Sequence, residues 1–166
     1  MVKKLFLSLG LTSLIVSGAM ATSCTCPKEG CTPGFWKTGN HLAAWEATLP
    51  TDSYTEIFGV DVTKLVGDVN KKAYDKLDGM TKDDILELGE ALWLKGNNDK
   101  LKQLVRTSAA ALLNIRSGIK YRVVGYGRMN DEDKLIELVQ KAFAGDIDAG
   151  ELQSVLDDAN NEGCPF

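Results

Sequence analysis

The stretch from Asp99 to Ser117, DKLKQLVRTSAAALLNIRS, is the most apolar of the helix-forming runs in this chain. Its Ala109-Ala110-Ala111-Leu112-Leu113 segment puts small side chains on several faces of a helix, so neighbouring helices can approach closely. A helix of that kind belongs at the centre of a fold. The rest of the chain is read as what surrounds it.

On its C-terminal side, Ile119 to Val124 is the one β-rich run. It is too short to found a sheet alone and is expected to be an extended connector. Asn130 then caps a helix carrying Leu135, Leu138, Val139, Ala142 and Phe143, which ends at Gly145. Asp148 with Glu151 opens a last helix bearing Leu152, Val155, Leu156 and Ala159, terminated by Asn160, Asn161 and Gly163.

On the N-terminal side, a helix is expected from Thr81, with Asp83 and Asp84 in its positive first turn. Ile85, Leu88, Leu92 and Trp93 line one face until Gly96-Asn97-Asn98 breaks it. Val60 to Gly79 reads as weak helix and loop. Ser53 and Glu56 make a capping box for one turn carrying Tyr54, Ile57 and Phe58, stopped at Gly59. Asn40 is expected to cap a short helix bearing Leu42, Trp45 and Leu49, ended by Pro50. Residues 22–39 are rich in Cys, Thr, Pro and Gly, with Pro27 and Pro33 blocking a continuous helix, so they read as an irregular cross-linked segment.

The first residues read as an export signal. Lys3 and Lys4 precede a mostly apolar run from Leu5 to Val16, and Ala19-Met20-Ala21 supplies the small residues a signal peptidase needs. Residues 1–21 are therefore expected to be a signal peptide, and 22–166 a single helical domain. The apolar run falls short of the ~20 residues that span a bilayer, so no transmembrane segment is expected after cleavage. A lipoprotein reading competes, because Cys24 closely follows Ala21 and a lipidated cysteine would tether the protein to a membrane. The expected location is secreted: periplasm, cell surface or extracellular space.

With 44% hydrophobic and 25% charged residues the composition is that of an ordinary globular domain. The net charge of −4 becomes more negative once Lys3 and Lys4 are removed, and no basic stripe exists to neutralise phosphates, which argues against nucleic acid. The four cysteines Cys24, Cys26, Cys31 and Cys164 make an even count in an oxidising compartment, favouring disulfides over free thiols.

Two segments carry a resemblance. Gly30-Cys31-Thr32-Pro33-Gly34-Phe35-Trp36-Lys37 near the start and Asn160-Asn161-Glu162-Gly163-Cys164-Pro165 at the end resemble paired motifs of an uncharacterised group of secreted bacterial proteins. Members of that group resemble mainly helical domains with a central Ala-Ala-Leu-Leu-Asn helix, matched here by Ala110-Ala111-Leu112-Leu113-Asn114. The resemblance implies a Cys31 to Cys164 disulfide and leaves Cys24 and Cys26 open: paired with each other, with another chain, or lipidated. The expected fold is thus mainly α, a single-domain irregular helical bundle with a disulfide-linked N-terminal segment.

Three site readings follow. Phe35, Trp36 and Trp45 either pack in the core or form an exposed platform for a sugar ring or partner chain. Cys24, Cys26, Cys31 and His41 offer zinc-type donors, but without a recognised zinc spacing. Asp146 and Asp148 open a stretch like an EF-hand loop, yet Glu151 stands where its glycine should and Asp157 where its bidentate glutamate should. No metal or cofactor is therefore expected. His41 is the sole histidine, no Gly-x-Ser-x-Gly elbow exists, and nucleotide-binding signatures are absent. The expectation is a secreted, non-enzymatic structural or interaction protein, with a protein partner or self-assembly, in a cell-surface or extracellular assembly. The alternative is an extracellular binding module for a small ligand, a glycan or Ca²⁺.

Overall fold

A computed structural model describes residues 30–45, 48–77, 79, 84–123, 125–128 and 131–166. The expected signal peptide, Cys24, Cys26 and Asn130 lie outside the described residues. The chain is mainly helical, with helices α1 (Pro33–Trp36), α2 (Tyr54–Phe58), α3 (Ala73–Lys76), α4 (Leu88–Ala91), α5 (Lys100–Arg116), α6 (Glu132–Ala144) and α7 (Ala149–Asn160). Among the described residues there are also two 3₁₀ turns, Gly39–Trp45 and Thr63–Asp68, and two short strands, β1 (Arg122–Val123) and β2 (Gly127–Arg128).

Helix α5 is the axis of the molecule. Asp99 caps it by accepting from the backbone N–H groups of Leu101 and Lys102. Leu104, Val105 and the whole run from Thr107 to Asn114 are buried, so the helix is enclosed on all sides over that run, while Lys100 and Leu101 at its start are exposed. Helices α7 and α6 pack along it, with α1 and α4 against other faces. Ala109, Ala110 and Ala111, all fully buried, leave no side chain beyond a methyl to hold those neighbours apart.

Helix α6 begins at Asp131, whose side chain accepts from Asp133 N, and ends at Gly145 in the left-handed conformation. Asp148 caps α7 through Glu151 N, as the sequence led us to expect. Ser53 likewise caps α2 through Glu56 N, and Gly59 stops it at φ 66°.

Four local expectations are corrected. Pro33 does not break a helix but starts one: Thr32 caps α1 and the proline takes its first position, where no N–H is needed. Asn40 lies exposed within the 3₁₀ turn Gly39–Trp45 rather than capping a helix, and Leu49, expected on that helix's apolar face, is 59% exposed. Of the helix expected from Thr81, residues 81–83 lie outside the described residues and residues 84–93 form only α4, because the backbone before it pairs with 50–54: Tyr54 N donates to Leu86 O at 2.9 Å and Leu88 N to Asp52 O at 2.7 Å. Ile85, read as a core position, is consequently 53% exposed. Finally, the extended connector after α5 turns back on itself, with β1 and β2 forming a small antiparallel ribbon and Gly125 at φ 84° between them.

Candidate functional site

The two sequence motifs meet at the C-terminal half of α5. Cys31 and Cys164 form a disulfide that closes a separation of 133 residues. Beside it, Gly30 N donates to Gly163 O at 2.8 Å, joining the two ends in a single antiparallel bridge. Gly30 has to be glycine there, since a Cβ would stand 2.0 Å from the carbonyl oxygen of Ala159.

Asn114 is fully buried and organises this junction. Its Oδ1 accepts from Cys31 N at 2.9 Å and from Trp36 Nε1 at 3.1 Å. Its Nδ2 donates to Cys31 O at 3.0 Å and to Asn160 Oδ1 at 2.9 Å. The carboxamide's two donors and two acceptor sites are thus all used. Asn160, also fully buried, accepts in addition from Tyr121 Oη at 2.8 Å and donates through Nδ2 to Thr107 O at 3.1 Å. Burial drives the Tyr121 hydroxyl far above its ordinary pKa, helped by the negative charges of Asp157 and Glu162. It remains a neutral donor to Asn160 and to the Leu156 carbonyl.

The aromatic residues divide. Trp36 is fully buried and Trp45 is 1% exposed, with Trp45 Nε1 donating to Trp36 O at 3.2 Å. The exposed-platform reading is therefore corrected for both, and they are core residues whose indole N–H groups are satisfied inside. Phe35 is half-buried in a stack between His41, at a centroid distance of 3.9 Å, and Phe166, at 5.8 Å.

Two donors of the metal readings, Cys31 and Asp148, are committed elsewhere, while Cys24 and Cys26 lie outside the described residues. Cys31 is oxidised, so it has no thiolate to give, and the His41 ring lies against Phe35. Asp148 uses Oδ1 to cap α7 at 2.7 Å, while Asp146 is exposed. Among the described residues no group of three or more His, Cys, Asp or Glu side chains could hold a metal ion.

A second place gathers chemistry that linear inspection did not single out. A cleft of about 490 Å³ is lined by Asp52, Ser53, Glu56, Ile85, Glu87 and Arg116, with Thr51 and Ile57 beside them. The pairing of 50–54 with 86–89 brings its two sides together, including an isolated bridge between Ser53 and Glu87. The end of α5 supplies Arg116. That guanidinium forms a two-pronged pair with Glu132, at 2.6 and 2.9 Å, which holds its pKa above the ordinary arginine value. These residues come from three distant parts of the chain, and no spacing in the sequence joins them. For the buried node there was a signal: Asn114 is a polar residue ending an otherwise apolar Ala-Leu run, and such a residue must find partners.

No protein-family model matches the chain, and comparison with curated proteins and with solved structures finds no match.

Proposed function

We propose that this protein is a secreted, non-enzymatic structural or interaction module acting at a cell surface or in an extracellular assembly. One observation carries the reading: the residues that mark the sequence are used to hold it together. Cys31, Trp36, Asn114, Asn160 and Cys164 meet in one disulfide-bonded, hydrogen-bonded node, with no nucleophile and base juxtaposed there. A disulfide of this span is compatible with an extracellular or periplasmic setting, where thiols are not kept reduced. No helix among the described residues is long and apolar enough to cross a membrane.

Native mass spectrometry of the protein recovered from its own cell fraction tests this. The expected spectrum shows a chain starting at Thr22, oxidised, and associated with a protein partner or with copies of itself. A monomer carrying a stoichiometric calcium, glycan or metabolite adduct would overturn the reading in favour of a small-ligand module.

A further inference from the structure

Resting on that reading of an interaction module, we propose that the cleft between α2 and the 84–87 segment is a docking site for an extended segment of a partner protein. The segment presents a lysine or arginine beside a large apolar side chain.

The charge balance selects a cation. Asp52 and Glu56 line the cleft together with Glu87, and the one cation among the described lining residues, Arg116, is already held by Glu132. Even with the largely buried Glu87 set aside, the carboxylates of Asp52 and Glu56 outnumber what Arg116 can balance. Glu56 is exposed on the first turn of α2; its backbone N–H donates to the Ser53 hydroxyl, but the return bond of a capping box is not formed, and its carboxylate has no hydrogen bond or ion pair among the described residues. An incoming ammonium or guanidinium group gains a charge-assisted contact there without breaking one.

The apolar rim selects a polypeptide over a small cation. Ile85, a large hydrophobic residue that is 53% exposed, lines the cleft together with the half-buried Ile57. The backbone N–H of Leu49 donates to Asp52 Oδ2 at 2.9 Å, which holds that carboxylate in the wall of the cleft. A polyamine seated among the carboxylates would leave Ile85 uncovered, whereas a chain with alternating basic and apolar residues covers it while reaching the charges. The volume of about 490 Å³ suits one or two side chains rather than a whole domain.

The test is fluorescence anisotropy of the full mature chain against three probes: a labelled Lys-Leu-Lys-Leu-Lys peptide, its Glu-Leu-Glu-Leu-Glu counterpart, and spermine as competitor. The basic peptide is expected to bind, the acidic one not to, and Glu56→Lys to weaken binding by about tenfold. Ile85→Ser should weaken it as well. The control Glu151→Lys, which changes another exposed acid in the first turn of a helix, α7, should leave affinity unchanged. Equal loss in Glu56→Lys and Glu151→Lys would reduce the effect to overall charge and overturn the site. Displacement by spermine as efficient as by unlabelled peptide would overturn the polypeptide part, and absence of binding would overturn all of it. None of these failures touches the assembly mass that tests the interaction reading itself.

Discussion

Asn114 illustrates how one buried polar side chain can determine the meeting of distant parts. Its carboxamide replaces water for both backbone groups of Cys31, for the Trp36 indole and for Asn160. Asn114→Ala removes all four bonds at once and leaves the Cys31 backbone groups and the Trp36 indole N–H without these partners, each costing about 1–3 kcal/mol and not additively, while Asn160 Oδ1 keeps Tyr121 Oη. We expect a loss of about 3–5 kcal/mol in urea unfolding, a large part of a domain's total stability. A loss below 1 kcal/mol would mean that water enters the node. Tyr54 shows the same economy: Ser108 gives its proton to Val105 O, so Tyr54 donates to Ser108 Oγ at 2.7 Å, and burial raises its pKa far above the ordinary value.

At the scale of elements, caps and surface charge can be tested separately. Asp148 begins α7, and its Oδ1 satisfies Glu151 N. Asp148→Ala should cost about 1 kcal/mol, measured by chemical denaturation. On α6, Glu137 lies between Lys134 and Lys141 at 3.0 and 2.5 Å. The hydrogen bond from Lys141, then that from Lys134, holds the Glu137 carboxyl down to about 2, against an ordinary 4.5. A depressed carboxylate pKa contributes stability above its unfolded value and loses it as the proton binds. The difference in thermal midpoint between wild type and Glu137→Gln should therefore be constant above pH 4.5 and fade as pH falls toward 2. Because these side chains are exposed, high salt should erase the difference at every pH.

The elements themselves were legible where the local signals agreed. Capping residues and apolar spacing located α5 and α7 and the short α2, since helix caps and one-face burial act within a few residues. They misled over residues 84–93, where an apolar spacing that suits a helix is overruled by backbone pairing with 50–54. Tertiary hydrogen bonds there decide what local preference leaves balanced, and Ile85 ends on the surface as a result.

For the whole molecule, the Cys31–Cys164 bridge restrains nearly the entire described chain. In the chain-entropy account, closing a loop of that size removes about 5 kcal/mol of disorder from the unfolded state. The paired replacement Cys31→Ser with Cys164→Ser should lower unfolding stability by roughly 3–5 kcal/mol. The far-UV circular dichroism of the folded protein should stay helical, because α5, α6 and α7 pack through apolar surface the bridge does not supply. Loss of the helical spectrum in that variant would show that the core cannot hold the ends without the bond.

By itself the sequence determined the mainly helical class, the central place of the Asp99 to Ser117 run and the helices capped by Ser53 and Asp148. Those depend on propensity, capping and periodicity, which are properties of neighbouring residues. The Cys31 to Cys164 pairing was an expectation drawn from its two end segments, and the structure forms that bond. Only the tertiary structure decided that Trp36 and Trp45 are core residues, that Asn114 and Asn160 bind the two motifs into one node, and that Asp52, Glu56, Glu87 and Arg116 share a cleft. Burial and charge juxtaposition depend on which distant segments pack together, and short-range pattern carries no record of that.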